Sequence, residues 1–544
     1  MDSALSWLQG AVAPPTDHRL RQAQHIACLL AGGYVLVKAV QMGPSAILKQ
    51  ALTLALPALE AVPGVAGLVK AEEEKAMKDI EQEMLGDGDE HALTALPAQG
   101  KPASVILEAQ PTGTPLHFIP DLSDESKTKR WGGIYHVDTA EHKDPLFELQ
   151  GDLFRMFNAT NALYPMVFKG VRKFQAEIVE MMIEMVASKD PQGKRVGEEV
   201  GLLTSGGTES ICLAVYALKK HAEATRGVTE PELVCCTTAH GAVDKACAYF
   251  GVKLVKTEPG PDFRMVPATV KAALNRNTIC VYTSAPTFPH GVFDPIEELA
   301  ELSQAAGVPL HVDNCMGGIV ASMCRDLGLL NIPFDFNIPG VTTMSVDCHK
   351  FGQASKGASV VAFRDNAIRQ ATYTPVLDWS GGFYVTPTMQ GSRNGAIIAA
   401  AWGTLVHKGR NGYESMAKNV WETTQKGIAG VNSIPHLRVA VKPDLCMLPI
   451  MWNSDSPAEQ ARIYAVSSAM SKRGWSMATL QKPACVNITV AVASRPVGQL
   501  SGVAGVYGSA AVMPDDKLHG ALKSFCDLQM RVKPKVAAAA GSGQ

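Results

Sequence analysis

Four short stretches of this sequence put chemically capable side chains beside β-rich runs. The run Val341 to Val346 stops at Asp347-Cys348-His349-Lys350-Phe351-Gly352. A lysine at the exit of a buried strand can lose its proton through desolvation and form an imine with an aldehyde, although most lysines are solvated surface groups. The stretch Leu203-Thr204-Ser205-Gly206-Gly207-Thr208-Glu209-Ser210 opens a helical pattern that continues to about His221. Its glycines let the backbone approach an anion. The free N–H groups and positive dipole of the helix end then bind phosphate, and Thr208 adds a hydroxyl. A plain helix start needs one capping residue. His311-Val312-Asp313-Asn314 ends another apolar run. A carboxylate at the carboxyl end of a strand sits at the edge where α/β sheets bind ligands, and the alternative is a helix cap or a surface Asp. His240 follows the run Leu233 to Thr237 in the same manner. Such an imidazole stacks on an aromatic ring, moves a proton, or is merely structural.

Each stretch alone has a bland explanation. Their order is more telling: a Gly-Gly-Thr helix start, a strand-end His, a strand-end Asp, then a strand-end Lys. This is the layout of a fold type I enzyme using pyridoxal 5'-phosphate, an electron sink while its ring nitrogen stays protonated. Asp313 supplies a carboxylate for that nitrogen, and one βαβ-sized crossover fits between Asp313 and Lys350.

The elements that must position these groups read as an α/β layered domain, with a mostly parallel sheet between helices. Leu233 to Thr237, Thr278 to Thr283, Pro309 to Val312, Val341 to Val346 and Ala358 to Phe363 are continuous apolar or β-branched runs, as strands covered on both faces require. Asp294-Pro295-Ile296-Glu297 running to Gly307 predicts a helix with Asp as N-cap and Pro at the first position. Val171, Phe174, Ile178, Met181, Met182 and Met185 recur at helical steps and read as core. Beyond about 405 the pattern is a smaller α+β domain, with helices over His407 to Gly427 and Pro457 to Gly474 and a strand over Ala484 to Ala493. The tail from Val536 reads as frayed. The domain boundaries are therefore set at 1–70 for an N-terminal region, 71–165 for a helical arm and linker, 166–404 for the large domain and 405–544 for the small one.

Composition narrows the class. The chain has 544 residues, net charge −2, 46% apolar and 19% charged residues, so it can build a sizeable core and has no basic surface for nucleic acid. Twelve cysteines without a CxxC pair argue for buried free thiols in a reducing compartment, with neither a disulfide framework nor a metal site. Ile26 to Val37 is an apolar run shorter than the roughly 20 residues a spanning helix needs. Ala51 to Val69 is apolar but interrupted by Pro57 and Pro63. Residues 20–70 read either as a membrane-associating or membrane-spanning region or as a helical arm packed on a partner subunit. Ala71 to Met84 is a charged, exposed helix, and 85–115 reads as a linker.

At this point the chain resembles the sphingosine-1-phosphate lyases, a branch of the group II pyridoxal-phosphate-dependent decarboxylases. The resemblance rests on Thr204 to Ser210, Phe288-Pro289-His290-Gly291, His311-Val312-Asp313 with Gly317-Gly318, His349-Lys350, Lys356-Gly357, Phe383 to Pro387, Gly391-Ser392-Arg393 and Asn411-Gly412-Tyr413, over roughly 130 to 530. It implies that Lys350 carries the cofactor as an imine, that Asp313 pairs with its ring nitrogen and that His240 stacks over the ring. It assigns the cofactor phosphate to Gly207, Thr208 and His349, with Ser392 coming from the neighbouring subunit of a homodimer. Tyr135, Asn161 and Lys356 match positions that handle the substrate phosphate and the proton transfers. Tyr164 stands where the family has a histidine, so a titrating phosphate ligand becomes a phenol. Phe351 and Gln353 stand where the family commonly has Tyr. The implied reaction is retro-aldol cleavage of a phosphorylated sphingoid base into a long-chain aldehyde and phosphoethanolamine. The implied location is the endoplasmic reticulum membrane, with the catalytic domain in the cytosol and Ile26 to Val40 as anchor. Two rivals are an amino-acid decarboxylase sharing every cofactor residue and a membrane-tethered binding protein that has lost catalysis.

Overall fold

The computed structural model describes residues 93–108, 145–472 and 477–490, together with several positions between Gly67 and Asp79. The chain divides into two units, Met1–Glu90 and His91–Gln544. In the first, the described positions are helical and exposed, with Lys70 and Glu74 paired at 3.9 Å. The apolar runs at 26–40 and 51–66 and the tail lie outside the described residues. Among the described residues no helix is long and apolar enough to cross a membrane.

The second unit is built on a seven-stranded sheet: β1 (Val200–Thr204), β2 (Glu232–Cys236), β3 (Lys253–Thr257), β4 (Thr278–Ser284), β5 (Leu310–Asp313), β6 (Val341–Asp347) and β7 (Ser359–Phe363). Their order is β1-β7-β6-β5-β4-β2-β3. Only β7 runs against its neighbours, so the carboxyl ends of β1, β2, β5 and β6 share one edge. Every residue of β4, β5 and β7 is buried, because helices cover both faces. That is why these strands are continuous apolar runs rather than alternating ones. The helices are α1 (Ala103–Glu108), α2 (Pro145–Phe157), α3 (Lys169–Val186), α4 (Gly207–Arg226), α5 (Ala242–Phe250), α6 (Pro267–Ala273), α7 (Ile296–Ala305), α8 (Gly318–Asp326), α9 (Asn366–Gln370), α10 (Gly395–Asn432), α11 (Pro457–Gln460) and α12 (Ile463–Lys472). The α3 stripe of Val171, Phe174, Ile178 and three methionines is buried in the core, as its periodicity predicts. All ten described cysteines are buried and free.

Two short strands of this sheet, and three of the small sheet described below, escape the sequence reading. β1 is only VGLLT, and β3, at the sheet edge, is KLVKT with charged residues in it. Asp294 is not a helix cap: α7 starts at Ile296 without a side-chain cap. Instead the buried Asp294 carboxylate accepts hydrogen bonds from Met265 N and Ser284 N, both at 2.8 Å. Burial raises its pKa to about 6 against the pull of these two donors.

Residues 93–108 are not a free linker either. Leu96 and Ile106 are buried in the main core. The segment is laced to α10, which bends at Gly409 (φ 59°). Lys101 N donates to Val406 O, Arg410 N to Pro97 O and Asn411 N to Ala98 O, while Asn411 Oδ1 accepts from Gly100 N. A Cβ on Gly409 would lie 2.5 Å from Gly100 N, so the crossing needs glycine for space as well as for φ. In the same Asn411-Gly412-Tyr413 stretch, the buried Tyr413 hydroxyl donates to Gly352 O at 2.8 Å, just past Lys350. The boundary expected at 404/405 thus falls inside a helix, a few residues before its bend.

The small sheet contains β8 (Leu437–Val439), β9 (Met447–Trp452), β10 (Ala478–Leu480) and β11 (Cys485–Thr489), in the order β10-β11-β9-β8, all antiparallel. Ile463 and Tyr464 of α12 pack on it with Val431, Leu448, Ile450 and Val486.

Candidate active site

A cavity of about 510 Å³ opens at the shared carboxyl edge. It gathers Gly207 and Thr208 after β1, His240 after β2, Asp313 at the end of β5, and His349 and Lys350 after β6. The four stretches that carried the sequence argument therefore converge on one space. Residues of β11 close the other side.

Lys350 Nζ lies 3.0 Å from Oδ2 of Asp347, whose side chain is almost wholly buried. Burial pushes the lysine pKa down, but the Asp347 charge, with Cys315 and Asp313 behind it, overcomes this and holds the ammonium above its ordinary value. Desolvation therefore does not free this amine, contrary to what a lysine at a strand exit suggests alone. Asp347 sits in the opening stretch of the sequence argument but was not assigned a role. Its signal was there: a charged residue in the last position of an apolar run, three residues before the lysine. Next to it, His349 Nδ1 accepts from Ala358 N at 3.2 Å, which leaves Nε2 to carry the ring proton. Burial lowers the His349 pKa despite the Asp347 carboxylate. A neutral ring with an Nε2–H donor suits a site for an anion.

Asp313 is held from three sides. Tyr282 donates its hydroxyl to Oδ2 at 2.6 Å, Cys315 N donates to Oδ1 at 3.0 Å, and Ser345 Oγ reaches Oδ1 at 3.3 Å. Burial alone would raise its pKa. His240, the Tyr282 hydrogen bond and Lys350 together hold it below the ordinary carboxylate range. The site thus keeps a buried carboxylate charged, as a protonated ring nitrogen demands. Tyr282 escaped the sequence reading because it reaches Asp313 from a neighbouring strand, and its own run showed only a β pattern. His240 Nδ1 accepts from Ala242 N at 3.1 Å, so its Nε2 also carries the proton.

The start of α4 has no side-chain cap. Gly206, at φ 153°, takes a conformation other residues avoid. A Cβ on Gly207 would lie 2.8 Å from Cys315 Sγ and 3.0 Å from both Asp347 oxygens. The backbone is therefore laid bare to the cavity, as phosphate binding at a helix N-terminus requires. The residues present fit pyridoxal phosphate: an anion cradle on α4, a charged carboxylate at Asp313 and an amine at Lys350.

The remaining expected residues lie elsewhere. Tyr135 is outside the described residues. Lys356 is exposed and donates to His349 O without lining the cavity. Asn161, Tyr164 and Ser392 also do not line it. They cluster together: Asn161 Nδ2 donates to Ser392 Oγ at 3.0 Å, Asn161 Oδ1 accepts from Arg393 N at 3.1 Å, and Tyr164 N donates to Asn161 O at 3.2 Å. Phe351 is buried core, and Gln353 O accepts from Gln150 Nε2, so neither departure from the family pattern reaches the cavity.

The sheet, its ligand edge and this residue set define a pyridoxal-dependent enzyme. Residues 150–448 match the pyridoxal-dependent decarboxylase conserved domain. Sphingosine-1-phosphate lyase of Arabidopsis thaliana is 34% identical, over 87% of this chain and 87% of its own. The solved sphingosine-1-phosphate lyase of Burkholderia pseudomallei is 32% identical with a TM-score of 0.62, covering 71% of this chain and 88% of that one. Lactobacillus brevis glutamate decarboxylase, at 14% identity and a TM-score of 0.56, shares the fold. The chain belongs to the sphingosine-1-phosphate lyase family.

Proposed function

We propose that the protein cleaves phosphorylated sphingoid bases, releasing a long-chain aldehyde and phosphoethanolamine. The observation that carries this reading is the convergence of Lys350, charged Asp313, His240 and the uncapped α4 on one cavity, in a chain of this family. When bound, pyridoxal phosphate supplies the electron sink for breaking a carbon–carbon bond. The protein's residues do the rest. Asp313 would keep its negative charge for the ring nitrogen. Gly207, Thr208 and the His349 Nε2–H would hold the cofactor phosphate. Asp347, 3.0 Å from Lys350 Nζ, orients the amine that would hold the cofactor and can take or return its proton. Relatives similar over most of this chain are sphingosine-1-phosphate lyases, which supports the lyase over an amino-acid decarboxylase. Three intact cofactor side chains give a non-catalytic binding protein no support.

A homodimer with shared sites accounts for the Asn161–Tyr164–Ser392 cluster. Exposed Val167 donates its N–H to Tyr164 O, and Tyr384, which lies beside Gly391, packs edge-on to exposed Trp379, so large apolar side chains stand exposed next to the cluster. In this reading a second copy covers these side chains and receives Ser392 at its own cofactor. The reading also includes an endoplasmic reticulum membrane location with a cytosolic catalytic unit, tested by fractionating cells that express the chain with and without residues 1–70.

The test of activity is product analysis of purified protein with pyridoxal phosphate and sphingosine 1-phosphate. A long-chain aldehyde with phosphoethanolamine is expected, and Lys350→Ala abolishes both. Release of CO₂ from amino acids with no aldehyde would overturn the lyase reading. Mixing Lys350→Ala with a Ser392 variant restores activity only if sites are shared.

A further inference from the structure

Strand β11 reads Cys485-Val486-Asn487-Ile488-Thr489. Its alternation sends Val486 and Ile488 into the core of the small sheet and turns Asn487 and Thr489 to the cavity. Asn487 is only 2% exposed. Its Nδ2 donates to Phe288 O at 2.7 Å and to Pro289 O at 3.3 Å. Two carbonyls on that side fix the amide: a flipped side chain would set its oxygen against both. Oδ1 must therefore point the other way, and among the described residues it has no hydrogen-bond partner. A buried carbonyl left without a donor costs about 1–3 kcal/mol, and this one belongs to a residue that lines the cavity.

Two other carboxylates of the cavity accept hydrogen bonds from the protein, and a third is held in an ion pair. Asp313 accepts from Tyr282 and Cys315. Asp347 is committed to the Lys350 ammonium through Oδ2, although neither of its oxygens has a hydrogen-bond partner among the described residues. Glu209 accepts from Ser205 N and Met389 N. We infer that Asn487 is a specificity-determining residue, whose Oδ1 accepts a hydrogen bond from the 3-hydroxyl of the substrate. This rests on the lyase reading above. A sphingoid base carries that hydroxyl beside its amine, and once the amine is committed to the cofactor the hydroxyl is the donor left near the reacting carbons. The same oxygen disfavours α-amino acids, because a carboxylate presented to it brings acceptor against acceptor. Phe288-Pro289 thus serves the site indirectly, by holding the Asn487 amide nitrogen and leaving Oδ1 free of protein donors.

The test compares binding to the pyridoxal-phosphate-loaded enzyme, followed by cofactor absorbance and by calorimetry. The ligands are sphinganine 1-phosphate, its 3-deoxy analogue and its 3-O-methyl ether. The wild type should bind both analogues roughly tenfold or more weakly than the alcohol, since neither can donate. In Asn487→Leu and Asn487→Ser, checked for wild-type cofactor absorbance, the preference over the deoxy compound should fall to near one. Equal binding of alcohol and deoxy compound by the wild type overturns the inference, as does an ether that binds as well as the alcohol. Variants that keep the full preference also overturn it. If neither variant holds the cofactor, the wild-type comparison decides. A wild type that cleaves sphinganine 1-phosphate but ignores the hydroxyl defeats this inference alone. One that neither binds nor cleaves it defeats the lyase reading as well.

Discussion

Tyr282→Phe removes one oxygen from a buried site and leaves the ring in place. The ring, 1% exposed, stacks on His311 with centroids 5.1 Å apart, and its hydroxyl is 2.6 Å from Asp313 Oδ2. After the change Asp313 keeps Cys315 N and the longer Ser345 contact. A hydrogen bond to a charged group contributes about 1.5–3 kcal/mol, and two donors remain, so a loss of ~2 kcal/mol is expected. At 1.4 kcal/mol per factor of ten this corresponds to about 30-fold. The loss falls on the charged form of Asp313, which the site holds below the ordinary carboxylate range. A depressed carboxyl contributes fully above its unfolded pKa, and the contribution disappears as pH falls through its folded value. With less depression the folded value lies higher, so the decline is complete at higher pH. Titrating apoprotein with pyridoxal phosphate should show affinity lower by about that factor, and the acid limb of the kcat/KM profile should move toward neutral pH. Cofactor affinity and acid limb both within about twofold of wild type would refute the reasoning. A lower Tm with both unchanged would make the hydroxyl a packing contact only.

Other changes test neighbouring parts of the account. Gly207→Ala puts a methyl 2.8 Å from Cys315 Sγ; cofactor affinity should fall at least tenfold with little change in Tm, and an unchanged affinity would remove α4 from the phosphate site. Gly409→Ala combines φ 59° with a Cβ 2.5 Å from Gly100 N; chemical denaturation should show a loss of ~1–3 kcal/mol, whereas unaltered stability would mean the crossing is loose. Burial lowers the pKa of His290 and of His311 from 6.5 to about 4. Unfolding therefore takes up protons in that window, and stability present above pH 6.5 declines toward pH 4 at ~1.4 kcal/mol per pH unit per histidine. Asp294, raised to about 6, opposes this: its contribution is present below its unfolded pKa and lost as pH rises through 6. Stability curves for His290→Leu between pH 4 and 6.5 should be flatter than wild type by about one proton, and equal slopes would count against a neutral buried His290.

The groups legible in the sequence were those whose chemistry stands at the end of their own strand. Lys350, Asp313 and His240 each follow an apolar run, so strand recognition alone brings them to one edge. The partners that set their protonation come from other segments. Tyr282 reaches Asp313 across a strand pair, and its own run shows only a β pattern. Asn487 lies on a predicted strand, but which face of β11 meets the cavity depends on how the small sheet docks. Asp294-Pro295 misleads because Asp before Pro at a helix start is the same pattern whether the carboxylate caps that helix or turns to Met265 and Ser284. The N-terminal segment misleads in another way: its glycines and prolines suggest a spacer, yet the backbone donors of 97–101 find acceptors only on a helix far along the chain.

That lacing fixes where a protease or a processing enzyme can act without harm. Cleavage ahead of residue 93 leaves every bond between 97–101 and α10 in place, and with them the Leu93 N contact to Glu177 on α3, whose other oxygen receives the Trp402 indole. Cleavage after residue 101 removes the strip. Val406 O then loses its Lys101 donor and Arg410 N its Pro97 acceptor at the bend of the helix, and the core contact made by Leu96 goes with them. A catalytic body released from whatever precedes it should keep its activity with an amino terminus near 90 and lose its fold with one near 110. Limited proteolysis followed by mass measurement would read that threshold to within a few residues.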